Sequence, residues 1–364
     1  MISIISFTQR GYALARRLAE REKASGDRRV MGCLLYSKWS GAAESADVEA
    51  VGDLTAWTGE QFAAHHTLLF IGACGIAVRS IAPSVQNKLT DSAVLVMDEA
   101  GKYVIPLLAG HVGGANDIAG RIAQLVGATP VLTTATDVSG VFAVDVWAVE
   151  NGFAIQNKER IRQVSAKLLQ KETVKIGIAG LTAVQCGEFL VQSGAGGAGQ
   201  LQPCDVAAES ATSLADLDIL VAERLPDGCQ ALWLRPREYV LGMGCRRGKS
   251  LEELQTFVQA ELDRAEIDPA DICALASIER KRDEIGLARL ADALRIPFLV
   301  YPEAELAQLE GSYSASAFVE QTVGVDNVCE RAAMVYCGGR GEVFLQKRAA
   351  EGMTLAVVKR DWRA

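Results

Sequence analysis

Residues 67–83 read TLLFIGACGIAVRSIAP: a short apolar run, a turn of small residues, then an apolar period that suits a helix. A run of this length bounded by glycine fits a buried strand, and a tight turn straight into a helix is the repeating unit of a parallel sheet with helices on both faces. The alternation continues in both directions. Residues 2–7, 30–36, 94–97, 104–108 and 131–133 are further strand candidates, and 116–126 has helical period. Residues 1–136 are therefore expected to form a doubly wound, mostly parallel, Rossmann-like α/β domain.

Residues 137–236 read as a middle α/β segment, with a helix near 158–171, a strand at 174–178 and the glycine-rich SGAGGAGQ from Ser193 as a flexible loop. Charges flanking Pro236 mark the next boundary. From 237 to 364 the order is strand (239–243), helix (250–264), strand (272–277), helix (284–294) and strand (298–301), which makes a separate C-terminal α/β domain.

A chain of 364 residues is too long for one core, and 49% apolar with 23% charged residues is globular composition. The formal charge of -8 argues against a nucleic-acid scaffold, because phosphate binding needs a dominant positive field. Nine cysteines form an odd set with no CxxC pair, which reads as reduced thiols in a cytoplasmic protein. The start MISIISFTQRGYALARRL has no basic stretch ahead of a long apolar one, and no run approaches the roughly 18 apolar residues of a membrane helix.

Four segments carry chemistry. In the quoted stretch Gly72 and Gly75 let the backbone approach a ligand, and Arg79 adds a fixed charge in the helix that follows. In LLAGHVGGAND (107–117) His111 lies among glycines, with Gly113, Gly114, Asn116 and Asp117 beside it; a histidine so placed is a natural proton carrier. The other two histidines, His65 and His66, end a helical stretch and read as capping residues. The three together lack the ligand spacing of a zinc site, so no protein-held metal is expected.

LGMGCRRGKS (241–250) resembles a phosphate loop, but counting back from Gly248 puts Met243 where that loop needs its first glycine. What remains is an anion site: Gly242 and Gly244 offering backbone N–H groups, Arg246, Arg247 and Lys249 offering charge, and Cys245 with a thiol pKa expected to be lowered. SIERKRDEIGL (277–287) follows the next strand. Loops leaving one edge of a parallel sheet share a crevice, so Arg280, Lys281 and Arg282 should face that of Arg246 and Lys249, with Glu284 as an ion partner.

Beyond these turns, GIAVRSIAP (75–83), NKLTDSAVLVMDEAGKYVIPLLAGHVGGANDIAGRIA (87–123), PVLTTATDVSG (130–140), LGMGCRRGKSLEEL (241–254), LASIERKRDEIGLARLADAL (275–294) and VGVDNVCERAAMVYCGG (323–339) together resemble the cobalt-precorrin-5A hydrolase (CbiG) family of anaerobic cobalamin biosynthesis. Ser92 stands where that family usually has proline, which bears on loop rigidity.

The resemblance implies a hydrolase whose substrate is a cobalt corrinoid bearing acetate and propionate arms. Water opens its ring A δ-lactone, and acetaldehyde leaves. Arg79, Lys88, Arg246, Arg247, Lys249, Arg280 and Lys281 are then the expected carboxylate clamps. His111 is the expected base, with Asp117 or Asp137 as alternatives. The oxyanion donors are backbone N–H groups of Gly113, Gly114 or the 72–75 turn. No cofactor is expected, since the cobalt belongs to the substrate. Handover to neighbouring cobalamin enzymes and a homodimer are the partner expectations. A binding or carrier protein that does not hydrolyse is the alternative.

Overall fold

A computed structural model describes residues 1–42, 45–86, 91–110, 113–133, 141–195, 199–206, 214, 216–311, 313–314 and 327–363. They form two compact units: Met1–Leu132 with Tyr239–Arg360, and Thr133–Glu238 with Asp361–Ala364.

The N-terminal sheet contains β1 (Ile2–Ser6), β2 (Cys33–Ser37), β3 (Val48–Ala50), β4 (Thr67–Ile71), β5 (Val94–Met97), β6 (Tyr103–Leu108) and β7 (Thr129–Pro130), in the order β3-β2-β1-β4-β5-β6-β7. The first five in chain order are parallel to one another. Side chains alternate across it. Ile4, Leu69 and Ile71 meet helices α1 (Gln9–Lys23) and α4 (Ala115–Val126), while Ile5, Leu68 and Phe70 meet α2 (Leu54–Ala63) and α3 (Cys74–Ile81). Both faces are covered, which is why these strands read as unbroken apolar runs. The doubly wound, mostly parallel fold expected of this stretch is present.

The last two strands run against the other five and parallel to each other. β6 runs antiparallel to β5, with Leu108 opposite Val94 and Val104 opposite Met97. The turn after β6 therefore lies at the edge where β1, β4 and β5 begin, whereas the 72–75 turn lies where they end. At about 3.3 Å per residue, strands of this length separate the two edges by roughly 15 Å.

The unit of Thr133–Glu238 and Asp361–Ala364 holds β8 (Phe153–Ile155), β9 (Val174–Ile178), β10 (Leu201–Cys204), β11 (Ile219–Val221) and β12 (Leu232–Pro236), ordered β10-β9-β11-β12-β8, with β8 alone antiparallel to its neighbour. Helices α5 (Val144–Glu150), α6 (Ile161–Leu169) and α7 (Ala183–Gln192) cover it, and Trp147, Phe153, Phe189 and Trp362 pack together in its core. Residues 196–198 of the expected glycine-rich loop lie outside the described residues.

The C-terminal sheet contains β13 (Tyr239–Cys245), β14 (Ile272–Ile278), β15 (Phe298–Tyr301), β16 (Glu342–Ala350) and β17 (Met353–Lys359), ordered β15-β14-β13-β17-β16. β13, β14 and β15 are parallel; β17 returns antiparallel along all of β13 and forms a hairpin with β16. Helices α8 (Leu251–Arg264) and α9 (Ile285–Ala293) cover one face, with α10 (Glu303–Gln308) and α11 (Cys329–Tyr336) on the other.

The two sheets of the larger unit are joined by main chain. The Val30 N–H donates to the Phe298 carbonyl and the Val300 N–H to the Arg28 carbonyl, each at 2.8 Å, so Arg28 to Val30 extend the C-terminal sheet beside β15. This corrects the strand expected over 30–36: Val30 is bonded to the neighbouring sheet, and β2 begins only at Cys33.

Candidate active site

Where β13 and β14 end, two turns lead into α8 and α9. Ser250 caps α8 by a reciprocal pair with Glu253, and Lys249 donates to the Glu253 carboxylate at 2.7 Å. The Lys249 contact first, then the Ser250 hydrogen bonds, hold the Glu253 carboxyl down at about 2. Across the gap, the buried carboxylate of Glu284 links the two turns: the Gly248 N–H donates to one oxygen at 2.8 Å and the Lys281 ammonium to the other at 3.3 Å. Arg247 sits 3.7 Å from Asp283. These turns border a cavity of about 390 Å³ lined by Arg247, Lys249, Ser250, Asp283, Gly286 and Arg289 among others.

The crevice expected from the parallel sheet is therefore built, and it brings together Arg247, Lys249, Lys281 and Glu284. Arg246 is exposed next to it, its backbone N–H bonded to the Gly352 carbonyl. The clamps are less free than expected. Lys249, Lys281 and Arg247 already meet Glu253, Glu284 and Asp283, and Arg280 pairs with Glu303.

Three expectations at this edge are corrected. Gly242 lies inside β13, paired with both β14 and β17, and Gly244 is paired with Thr354 of β17; their backbones serve the sheet, not an anion. The glycines are needed for packing: a Cβ on Gly242 would fall 1.8 Å from the Cys329 carbonyl oxygen, and one on Gly244 would fall 2.8 Å from the Thr354 hydroxyl. The Cys245 thiol is not lowered. Burial pushes it up to about 11, against the pull of Lys281 and Lys249, so it stays protonated near neutral pH.

The N-terminal candidates divide between the two edges. Gly72, Gly75 and Arg79 lie at the edge where β4 ends, and the exposed Arg79 guanidinium folds back onto the Gly75 carbonyl at 2.9 Å. Gly113, Gly114, Asn116 and Asp117 lie at the opposite edge, so the two glycine turns do not share a site. Gly114 has φ of 76° and precedes α4. Gly113 is held close, since a Cβ there would sit 2.4 Å from that of Ala109, itself in the left-handed region at φ 54°. The Ala109 and Gly110 carbonyls accept from the N–H groups of Ala115 and Asn116, while those of Gly113 and Gly114 meet no backbone acceptor among the described residues. The Asp117 carboxylate stands 3.4 Å from Arg29. Lys88, His111 and Asp137 lie outside the described residues.

His65 and His66 close α2 as expected, their N–H groups donating to the Phe62 and Gln61 carbonyls. The His66 ring is also within hydrogen-bonding distance of Ser3 and Gln61, and burial lowers its proton affinity against the opposing pull of Asp292. Arg282 is expected to face the crevice of Arg246 and Lys249, but it turns away from it: its guanidinium is 6% exposed, donates to the Asp27 carbonyl and lies 4.0 Å from the buried Glu22. Its alternation with exposed neighbours in a turn gives no local signal of this; the partners are more than 250 residues away in sequence.

Residues 56–137 match the family model described as Cobalamin synthesis G N-terminal, and residues 239–358 match Cobalamin synthesis G C-terminus. The chain is 31% identical to the cobalt-precorrin-5A hydrolase of Salmonella typhimurium, across 98% of this chain and 97% of that protein. It is 30% identical to the enzyme of the same name from Priestia megaterium, across 81% of this chain and 79% of that one. Among solved structures, a cobalamin biosynthesis protein G homolog from Sulfolobus solfataricus covers 99% of this chain and 97% of its own, at 21% identity and a TM-score of 0.39.

Proposed function

The chain belongs to the cobalt-precorrin-5A hydrolase family, and from that premise we propose how its residues share the work. It is a hydrolase of cobalamin biosynthesis: water opens the ring A δ-lactone of cobalt-precorrin-5A, giving cobalt-precorrin-5B and acetaldehyde. In our reading the substrate's carboxylate arms are held where the turns after β13 and β14 meet, by Arg246, Arg247, Lys249 and Lys281. The observation that supports this is the concentration of cations around one cavity on a single sheet edge, in a chain whose net charge is -8. A polyanion would otherwise be repelled.

Hydrolysis needs a base to take a proton from water as its oxygen joins the lactone carbonyl carbon, and donors for the oxyanion that forms. We assign the base to His111. Asp117 is the weaker alternative because Arg29 already engages its carboxylate, and Asp137 remains the other. Gly113 and Gly114 are the donors, since their N–H groups have no backbone acceptor among the described residues. The ring-opening C–O bond then breaks. The freed alcohol loses its proton as its carbon–carbon bond to the macrocycle cleaves, the electron pair passes to the conjugated ring, and acetaldehyde departs.

This ester chemistry asks for no resident metal or cofactor, and the reading places the enzyme in the cytoplasm, passing its product to the next cobalamin enzyme. Acetaldehyde release from purified protein and cobalt-precorrin-5A is the direct assay. His111→Ala should lower kcat by about 10² to 10⁴ and remove the acidic limb of the pH–rate profile. Turnover that is unchanged across the pH series would refute the assignment.

A further inference from the structure

Arg289 lies one turn inside α9, exposed, and lines the same cavity as Arg247 and Lys249. It shares the exposed stripe of that helix with Ile285, four residues earlier. The other cations that line the cavity are engaged, Arg247 with Asp283 and Lys249 with Glu253, and its Glu284 is matched by Lys281. Arg289 meets no carboxylate among the described residues. A cation left over in a cavity whose other charges are balanced gives that cavity its net attraction for an anion.

The backbone reinforces it. A Cβ on Gly286 would fall 2.1 Å from the Lys249 carbonyl oxygen, so the two cation-bearing turns approach as closely as main chain allows. The N–H groups of Ile285 and Gly286, at the start of the helix that carries Arg289, have no acceptor among the described residues. Guanidinium and N–H donors thus border one cavity, and a planar guanidinium suits a carboxylate through two parallel N–H···O bonds.

We propose that Arg289 is a substrate-binding residue that grips one acetate or propionate arm of the corrinoid, and so selects a polycarboxylate over a neutral analogue. The proposal rests on the reading that this cavity receives the substrate's arms. Two probes separate them: cobyrinic acid, a free-acid cobalt corrin, and its methyl ester. The wild-type protein should bind the acid in preference to the ester. Arg289→Ala should weaken acid binding and raise KM for cobalt-precorrin-5A by about tenfold to a hundredfold, with kcat within about twofold and ester binding unchanged. Arg289→Lys should fall between. If the wild type prefers the acid and Arg289→Ala binds it equally well, the role of Arg289 is overturned while the site stands. If the wild type shows no preference, and Arg247→Ala and Lys249→Ala leave KM unchanged, the site reading itself fails.

Discussion

At Gly242 the helix α11 lies so close to β13 that the missing side chain is what makes the packing feasible. The obstructing atom is main chain, and neither strand nor helix can turn aside as a side chain would. Gly242→Ala should therefore cost about 2–4 kcal/mol, read from the urea midpoint, as an overpacked core substitution. Gly244→Ala meets only the Thr354 hydroxyl, which can rotate, and should cost less than about 1.5 kcal/mol. These two glycines also mark what single residues reveal in a sequence. Their presence beside arginines was legible, and so was the surplus of charge. Their purpose was not, because a glycine that admits an anion and a glycine that admits a helix are the same letter, and β13 continues through Cys245 rather than stopping at Met243.

Between elements, Glu284 decides whether the two turns of the site hold together. Its carboxylate is buried and serves one acceptor oxygen to each turn. Glu284→Ala strands the Lys281 ammonium and the Gly248 N–H, and should cost about 3–5 kcal/mol with a rise in KM; Glu284→Gln keeps an acceptor for Gly248 and should lose less of both. Thermal denaturation alongside acetaldehyde kinetics checks the pair. The strands flanking these turns were legible because buried parallel strands are short apolar runs: 67–71, 94–97, 174–178 and 298–301 match β4, β5, β9 and β15 residue for residue. The direction of β6 does not follow from the apolar runs, but the spacing between them carries it. Only Asp98 to Lys102 separate β5 from β6, too few for a parallel crossover of a dozen or more residues. The Asp98 carboxylate closes that turn by accepting from the N–H groups of Ala100, Lys102 and Tyr103. That reversal is what puts the end of β6, at Leu108, at the same edge as Met1 and His66.

For the larger unit as a whole, the joint between its sheets is built from residues far apart in sequence. Met1 pairs its ammonium with Asp292 at 2.5 Å, Arg282 reaches Asp27, and Arg295 stands 3.1 Å from His65. No local pattern announces such a joint, so the sequence reads as consecutive domains while the chain leaves this unit at Leu132 and rejoins it at Tyr239. His66 makes the joint pH-sensitive. Burial lowers its proton affinity below the ordinary 6.5; the carboxylate of Asp292 opposes this, and the Met1 ammonium and Arg289 add to it. A histidine whose folded pKa is depressed is neutral in both states above about pH 7, so it has no effect there. As pH falls through 6.5 the unfolded chain takes up the proton before the folded one does, and stability drops until the folded pKa is reached. Between about pH 7 and 5 the urea midpoint should therefore fall, and His66→Gln, which keeps a polar group near Ser3, should flatten that slope. Glu253 contributes in a separate window: its stabilisation is intact above its ordinary value of 4.5 and is lost as pH falls towards about 2. A slope between pH 7 and 5 that survives His66→Gln unchanged would assign the sensitivity to another group.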